Sequence, residues 1–486
     1  MVDSATALQH KKTLSSSIAS FILGILSCVL FGIFTAIPAV ILGHRSLSIL
    51  KRESAQYSGR PLAIAGLISG YLGICLSLVI AVLIANAFRT YQVHDEDLIY
   101  TPPKIEDAKN AYVTLLPILK QIKEQSDKDQ STYADVESAI SNKTGRDYKE
   151  TAKILERYSR YISTFSDAMM LDTLQVPIMH DIQVKEPLSQ SYVGALFLLQ
   201  KLETLKIETL LAKKKYDEAC KEIVKLFKYG YLLENSDGGM IYFRLGFAAK
   251  KNSFGLIQGL VKESNRESSF YRDLAAQLQL FADNSGAVKS LKREYTIERN
   301  SIRGFIEKSI EDSPELKEVF EEYAKHPWKL RFVFNESASM KKLSDFYRQE
   351  VKNIHGPYSD IKHKEIFEAS WLDVVTGNFV GKMLLALVSP SWDRLINGKY
   401  ELDARYNLTQ VLLALKAHRV EKNKLPDALG DLVPEYLRAI PQDPFDGNNI
   451  RYSRTGEKIY SVYSDGHDDG GHAEKDLVLN FNFTAN

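Results

Sequence analysis

The sequence predicts a mainly α-helical protein in three parts: an N-terminal transmembrane helical hairpin, a central α-helical domain and a small C-terminal α+β domain. Two long stretches near the N-terminus are apolar and uncharged, apolar residues in the middle recur at helical spacing, and short runs near the C-terminus alternate as strands do. The predicted bounds are 1–16 for a polar tail, 17–90 for the hairpin, 91–395 for the helical domain and 396–486 for the α+β domain.

Charge and cysteine content exclude several classes of protein. The chain has 62 Lys and Arg against 61 Asp and Glu, so nothing in its net charge of +1 indicates nucleic acid as a partner. Cys28 and Cys75 lie in apolar stretches, which leaves Cys220 alone in the polar remainder. This pattern contains no Cys-x-x-Cys metal or redox motif and does not fit a disulfide-stapled ectodomain. We expect Cys220 to be a buried, inert thiol.

The two apolar stretches predict two membrane spans, from Ser17 to Gly43 and from Leu62 to Phe88. About 20 apolar residues suffice to cross the hydrocarbon core of a bilayer. A cleaved signal peptide is the alternative for the first stretch, but that stretch is too long and a second one follows at once. Small residues four apart predict that the spans pack closely as an antiparallel hairpin. They are Ser20 with Gly24, Gly32 with Ala36, and Gly66 with Gly70.

The connection between the spans, HRSLSILKRESAQYSGRP, carries four Arg or Lys residues against one glutamate. The positive-inside rule therefore places it in the cytoplasm and both termini outside. Lys11 and Lys12 before the first span favour the opposite orientation. We predict a multi-pass membrane protein with its large C-terminal region outside the cytoplasm. Nucleic acid is not an expected partner.

Three segments of the hairpin carry a family resemblance: IASFILGILS, PAVILGH and GRPLAIAGLISGY. Together, from about Ser16 to Phe88, they resemble domain of unknown function 4190, a bacterial two-span hairpin without an assigned activity. The resemblance implies a bacterial membrane protein and implies nothing about chemistry. We therefore predict a protein of the bacterial inner membrane, whose expected partners are the lipid bilayer and other envelope proteins.

The central region shows amphipathic helices and no catalytic motif. YKETAKILERYSRYISTFSDAMM and ALFLLQKLETLKIETLLAKK have apolar residues three and four apart. ETLLAKKKYDEACKEIVKLFKYGYLL resembles one tetratricopeptide-type helical hairpin; because no second copy is found, a hairpin within a bundle is favoured. The region has no G-x-S-x-G, no H-E-x-x-H and no dinucleotide fingerprint. We predict that the protein is not an enzyme; the alternative is an enzyme with an unrecognised active site here, marked by several buried, mutually bonded polar side chains.

The last ninety residues predict a helix over 401–421, a hairpin formed by IRYSR and KIYSVYS, and a final strand, DLVLNF. The segments LLALKAHR, LVPEYL, IPQDPFDG and YSVYSDGHDDGG resemble the globular domain of the major pseudopilin of type II secretion. The resemblance implies a pseudopilin-like fold with calcium bound in the loop before the last strand, at Asp465 and Asp476. Filament assembly is not implied, because no processed apolar helix leads into this region.

The acidic residues of this loop also indicate a metal site on their own chemistry. Calcium prefers six to eight oxygen ligands on a loop with glycines, which fits the predicted metal ligands Asp465, Asp468, Asp469 and Asp476. An EF-hand is excluded because its third position would be His467 and strands flank the loop. Zinc through the nearby histidines and a solvated acidic turn remain alternatives. We predict a calcium-stabilised loop.

Overall fold

A computed structural model of the protein describes residues 11–129, 131–141, 147–176, 192–283, 285–303, 325–326, 331–332, 334–361, 378–388 and 393–483. These residues form a mainly helical structure with short C-terminal strands, which confirms the predicted class at this level. The chain divides into two compact units. The first contains Met1–Val93, Ile302–Lys341 and Phe367–Leu387, and the second contains His94–Ser301, Lys342–Ile366 and Val388–Asn486.

The first unit begins with three helices, and the second and third of them are long and apolar enough to cross a membrane. They are α1 (Ser15–Leu26), α2 (Ile33–Arg52) and α3 (Arg60–Phe88), and a π-helical turn, Ser27–Phe31, extends α1. The first predicted span is therefore not one continuous helix, because it is broken at Gly32. This residue has a φ of +47°, which L side chains rarely adopt, and the chain reverses there.

The three helices pack against one another through their small residues. A Cβ added at Gly66 would lie 2.6 Å from the backbone of Ser20, and one at Gly24 would lie 2.9 Å from the carbonyl oxygen of Gly66. The Ser20 hydroxyl donates to the carbonyl oxygen of Ala39 on α2 at 2.7 Å. Most of the positions predicted from four-residue spacing thus lie at the helix contacts. Along α3, Gly66 and Gly73 meet Ser20 and Ser27 in the same order, so α1 is parallel to α3. Leu67 and Gly70 meet Gly43 and Ala36 in the reverse order, so α2 is antiparallel to both.

A short parallel pairing joins the ends of this bundle. Strand β1 (Lys12–Thr13) pairs with β2 (Tyr57–Ser58), with Lys12 opposite Tyr57. The start of α1 and the connection from α2 to α3 therefore lie at the same end of the three helices.

The second unit is built mainly from helices that follow one another in sequence. They are α4 (Ala111–Lys128), α5 (Ala134–Ser141), α6 (Tyr148–Arg157), α7 (Ser159–Ala168), α8 (Val193–Ala212), α9 (Tyr216–Glu234), α10 (Gly239–Glu263) and α11 (Ser268–Gln279). The segment that resembles a tetratricopeptide-type hairpin corresponds to α8 and α9, and Ala219 within it is fully buried. Cys220 is buried as expected, and burial raises its pKa to about 11.

Four further helices and a small sheet complete the described fold. The helices are α12 (Gly286–Arg303), α13 (Glu336–His355), α14 (Phe379–Val388) and α15 (Asp393–Lys422). The strands β3 (Arg451–Ser453), β4 (Lys458–Ser461) and β5 (Leu477–Asn480) form an antiparallel sheet in that order. The predicted helix, hairpin and last strand of the C-terminal region are confirmed.

Helix α15 packs on α10 and α11 and also contacts β4. Leu408, Val411, Leu412 and Leu415, which the sequence places on one apolar face, are all buried. The sheet thus lies over a helix that is shared with the central bundle, and the predicted boundary at residue 396 falls near the start of this helix.

Candidate functional site

The acidic loop, residues 462–476, connects β4 to β5. Asp465 accepts a hydrogen bond from the backbone N–H of His467 at 3.0 Å, and Asp468 accepts one from the N–H of Gly470 at 2.9 Å. Gly466, Gly470 and Gly471 have φ near +70°, which supports these tight turns. The loop is therefore folded by its own backbone donors.

Basic side chains of the same region offset much of the negative charge of the loop. Lys475 pairs with Asp469 at 2.8 Å, which raises the pKa of this lysine. Arg451 of β3 approaches Asp468 at 3.5 Å. Lys458 of β4 donates to the carbonyl oxygens of Gly470 and Gly471 at 2.6 and 3.0 Å. An ammonium group thus contacts two carbonyl oxygens of the kind that calcium would use as ligands.

Asp476 is the predicted ligand whose environment best fits a cation. It is only 4% exposed, and its Oδ2 accepts hydrogen bonds from the N–H groups of Gly471 and His472. Its Oδ1 is buried without a hydrogen-bond partner among the described residues. A buried carboxylate oxygen without a partner is costly, so this atom is where a cation would be favourable.

The structure does not gather Asp465, Asp468, Asp469 and Asp476 into one metal-binding cluster. Across the described residues, no three His, Cys, Asp or Glu side chains are grouped so as to hold a metal ion. The loop geometry fits a cation only at Asp476, and calcium binding therefore stays a prediction.

A buried network beside the loop was not anticipated from the sequence. Asp443 is fully buried and accepts hydrogen bonds from the Ser461 hydroxyl and the Val462 N–H, both at 2.8 Å. Arg451 pairs with Asp443 at 2.6 Å and also with Asp446. Burial raises the pKa of Asp443. The motif IPQDPFDG supplies both aspartates, but its letters do not reveal which of them is buried.

The central helices also contain buried ionisable groups. Lys250 of α10 pairs with Glu234 of α9 at 2.5 Å, and the two side chains are 2% and 1% exposed. The rings of Phe227 and Tyr231 lie within 6 Å of the ammonium group. Burial raises the pKa of Glu234 to about 7. Gly230 and Gly246 make this site narrow, because a Cβ at Gly246 would lie 2.4 Å from the carbonyl oxygen of Gly230.

A second buried group lies between α8 and α9. Lys206 contacts Glu203 at 3.1 Å and Glu222 at 2.9 Å, and the Glu203 side chain is 1% exposed. Burial raises the pKa of Glu203 to about 8. This arrangement places one lysine between two carboxyl groups.

The third buried group brings glutamates of α12 and α13 together with a buried tyrosine. Glu294 and Glu298 lie four residues apart on α12, and Tyr347 and Glu350 lie on α13. Burial raises the pKa of Glu298 to about 9, so this side chain is a neutral acid at pH 7. Glu294 accepts a hydrogen bond from the N–H of Met240 at 2.7 Å, at the start of α10. These contacts fit structural packing, and a protonated carboxyl is also a group that enzymes use as a general acid.

The comparison with protein families supports the N-terminal resemblance. Residues 16–80 match the family described as "Domain of unknown function (DUF4190)". No curated protein and no solved structure matches the chain. The resemblance to the major pseudopilin therefore stays a prediction.

Proposed function

We propose that this chain is a membrane-anchored protein of the bacterial cell envelope with a structural or protein-interaction role and no catalytic activity. The observation that carries the proposal is the exposed apolar surface of α3. This helix has 29 residues, about 44 Å at ~1.5 Å per residue, and its one charged residue is Arg60 at its start. That length is sufficient to cross a bilayer.

The burial of α3 favours a lipid environment over a soluble core. Only 17% of its most apolar 18-residue stretch is buried, whereas a core helix of a soluble protein is mostly buried. Ile68, Leu72 and Leu78 are 65%, 60% and 56% exposed. Such a continuous apolar face in water would be an aggregation hazard, and in a bilayer it contacts acyl chains.

We further propose that α3 alone crosses the membrane and that α1 and α2 enter and return to the same side. The turn at Gly32 lies beside Ser77 of α3, because a Cβ added at Gly32 would be 2.9 Å from the serine hydroxyl oxygen. Ser77 itself lies about 16 Å before the end of α3. Its neighbours Phe31, Ile33 and Phe34 are apolar, and Phe34 is 85% exposed. The turn is thus suited to the interior of a bilayer and not to its aqueous surface.

This topology removes the conflict between the two groups of basic residues. The pairing of β1 with β2 brings Lys12 beside Tyr57, so the N-terminal lysines and the basic connection share one end of the bundle. By the positive-inside rule that end is cytoplasmic. The residues that follow Phe88 then lie outside the cytoplasm, while the N-terminus lies inside, in contrast to the two-span prediction.

Cysteine labelling tests this topology. In a variant with Cys28, Cys75 and Cys220 replaced by alanine, single cysteines at Ser4, Ser54 and Ser159 are exposed to a membrane-impermeant maleimide on intact spheroplasts. We expect labelling at position 159 only. Labelling at both 4 and 159 would establish the two-span topology instead. Release of the wild-type protein from membranes by an alkaline wash would reject the anchor itself.

The C-terminal region is proposed to be the contact surface for other envelope proteins, with a pseudopilin-like fold and a calcium-stabilised acidic loop. The buried, unpartnered Oδ1 of Asp476 supports a cation at this position. We expect the purified full-length protein to have a higher Tm with added calcium than with a chelator. The Asp476→Asn variant should not show this increase. Asp273→Asn, at an exposed site on α11, is the control. An equal Tm with calcium and with chelator would mean that Lys458, Lys475 and Arg451 are sufficient to stabilise the loop without a metal ion.

An enzyme with its active site in the central helices is the second candidate, and the buried carboxyl groups of α12 and α13 favour it. If Glu298 is an accessible general acid, dicyclohexylcarbodiimide at pH 7 will modify it in the native protein, as peptide mass spectrometry would show. If Glu298 only packs, it will be modified after denaturation and not before. We expect the second result.

A further inference from the structure

The first unit contains a cavity of about 500 Å³ at the C-terminal end of α3, and arginines dominate its charge. Arg89, Arg303 and Arg331 line it together with the apolar side chains of Phe88 and Met340. An ion pair of 3.8 Å joins Arg303 to Glu336. Among the described residues, Arg89 and Arg331 have no carboxylate partner. The cavity therefore combines three guanidinium groups with one carboxylate.

Two of these arginines lie over aromatic rings. The guanidinium carbon of Arg89 is 4.9 Å from the ring centroid of Tyr91, and that of Arg331 is 5.5 Å from the centroid of Phe88. Stacking on a ring holds a guanidinium in place and leaves its N–H groups free to donate along its edge. Arginine in this state binds the oxygens of a phosphate in a bidentate manner.

A buried asparagine fixes the wall of the cavity. The side-chain amide of Asn335 donates to the carbonyl oxygens of Asn86 and Arg89 at 3.2 and 2.9 Å, at the last turn of α3. Its Oδ1 accepts from the N–H of Ala338, in the first turn of α13. This one side chain thus provides hydrogen-bond partners for backbone carbonyl groups at the end of α3 and for a backbone N–H at the start of α13. The site is built by packed polar groups and does not depend on surface side chains alone.

We propose that this cavity binds the headgroup of an anionic phospholipid, with the phosphate on Arg89 and Arg331 and the acyl chains along the apolar face of α3. The inference rests on the proposed membrane anchor, because it places the cavity where a membrane-crossing helix leaves the bilayer. A lipid is favoured over a soluble anion because Phe88, 47% exposed, and Met340 continue the apolar surface of α3 into the cavity. Tyrosine is enriched at both membrane–water interfaces, and arginines near the end of a membrane-crossing helix extend toward the headgroups.

Thermal unfolding of the full-length protein in detergent tests the site, with phosphatidylglycerol, phosphatidylcholine of the same acyl chains, or inorganic phosphate added. We expect phosphatidylglycerol to raise Tm by several degrees and the other two additions to leave it unchanged. Arg331→Gln should remove at least half of the increase. Arg438→Gln, at an exposed arginine of the second unit, should leave the increase unchanged. An equal shift with inorganic phosphate would identify a soluble anion as the ligand and overturn the lipid assignment.

A second variant keeps the test decisive if Arg331→Gln does not fold. Arg331→Lys preserves the charge but loses the bidentate geometry, and native mass spectrometry counts the lipids that stay bound. We expect phosphatidylglycerol to be retained by the wild type and largely lost from this variant. Equal retention by both overturns the site. A protein that resists alkaline extraction but shows no lipid preference would refute this inference alone, whereas a freely soluble protein would refute the anchor as well.

Discussion

The helices α1 to α3 and the helix pair α9 and α10 both come into close contact through glycines, but they differ in what surrounds the contact. Around Gly66 the neighbours are serine hydroxyls and backbone, and the outer faces are exposed and apolar. Around Gly230 and Gly246 the neighbours are Lys250 and Glu234, and the outer layers are buried. Close packing of α1 to α3 relies on small residues, as it does between helices in a lipid bilayer. Close packing of α9 and α10 also encloses an ion pair.

Removal of one charge from the α9–α10 contact should have the largest effect. Lys250→Met leaves Glu234 buried without its partner, and we expect a loss of about 3–5 kcal/mol of stability at pH 8. Because burial holds the pKa of Glu234 near 7 and the loss of Lys250 would raise it further, the cost should be smaller at pH 5, where this carboxyl is neutral. Tm at the two pH values measures this, with Lys221→Met, on the exposed side of α9, as control. An equally small loss of stability at both pH values would mean that water reaches the side chains of Lys250 and Glu234.

The network under the acidic loop should rank second. Asp443→Ala removes the acceptor of three hydrogen bonds and the partner of Arg451, so we expect a loss of about 2–4 kcal/mol of stability. Asp443→Asn, which keeps an oxygen acceptor, should lose less. Limited proteolysis of the acidic loop provides the readout. If both variants are cut as slowly as the wild type, Asp443 does not hold the loop.

A single methyl group at the α1–α3 contact should have a smaller effect. Gly66→Ala would bring a Cβ to 2.6 Å from the Ser20 backbone, which neither helix can accommodate without moving, and about 1–3 kcal/mol should be lost. The matched control is Gly259→Ala, near the C-terminal end of α10, where an added Cβ meets no atom within 4 Å. That substitution should be neutral or stabilising by up to about 1 kcal/mol. Thermal unfolding in detergent compares the two variants, and similar Tm values would disprove the close contact.

At pH 5 the smallest expected effect is that of Glu298, and the destabilisation caused by this side chain grows as pH rises. Its pKa is about 9 in the folded protein and near 4.5 when unfolded, so the folded state holds the proton between these values. Stability contributed by this group is therefore present below pH 4.5 and falls as pH rises toward 9. Glu298→Gln should be clearly more stable than the wild type at pH 8 and should differ little at pH 5. Glu156→Gln, at an exposed site, should show no such trend.

The sequence predicted best the elements whose pattern is local. The apolar face of α15 and the alternation of β3 to β5 follow from neighbouring residues, and both are observed. The break at Gly32 could not be predicted, because hydropathy is equally high on both sides of it and no polar residue marks the reversal. Its signal is a glycine between bulky apolar residues, and glycines are common in spans.

The acidic loop shows why the candidate site was harder to predict. Its aspartates are conspicuous in the sequence, but the groups that offset them are Arg451 and Lys458, which lie on strands and come beside the loop only when the sheet forms. The buried carboxyl groups of α12 and α13 were missed for the same reason. A glutamate at an apolar position of a helix gives no sign of which side chains from another helix will cover it.

The reversal at Gly32 has a consequence for how this protein would be made. If α1 and α2 enter and leave the bilayer on one side, no hydrophilic stretch of the first fifty residues has to be transported across it. The two helices can then be inserted together from the cytoplasmic surface. The secretion machinery is needed only when α3 emerges from the ribosome. A bulky tag fused to the N-terminus would accordingly leave the export of the remaining chain undisturbed.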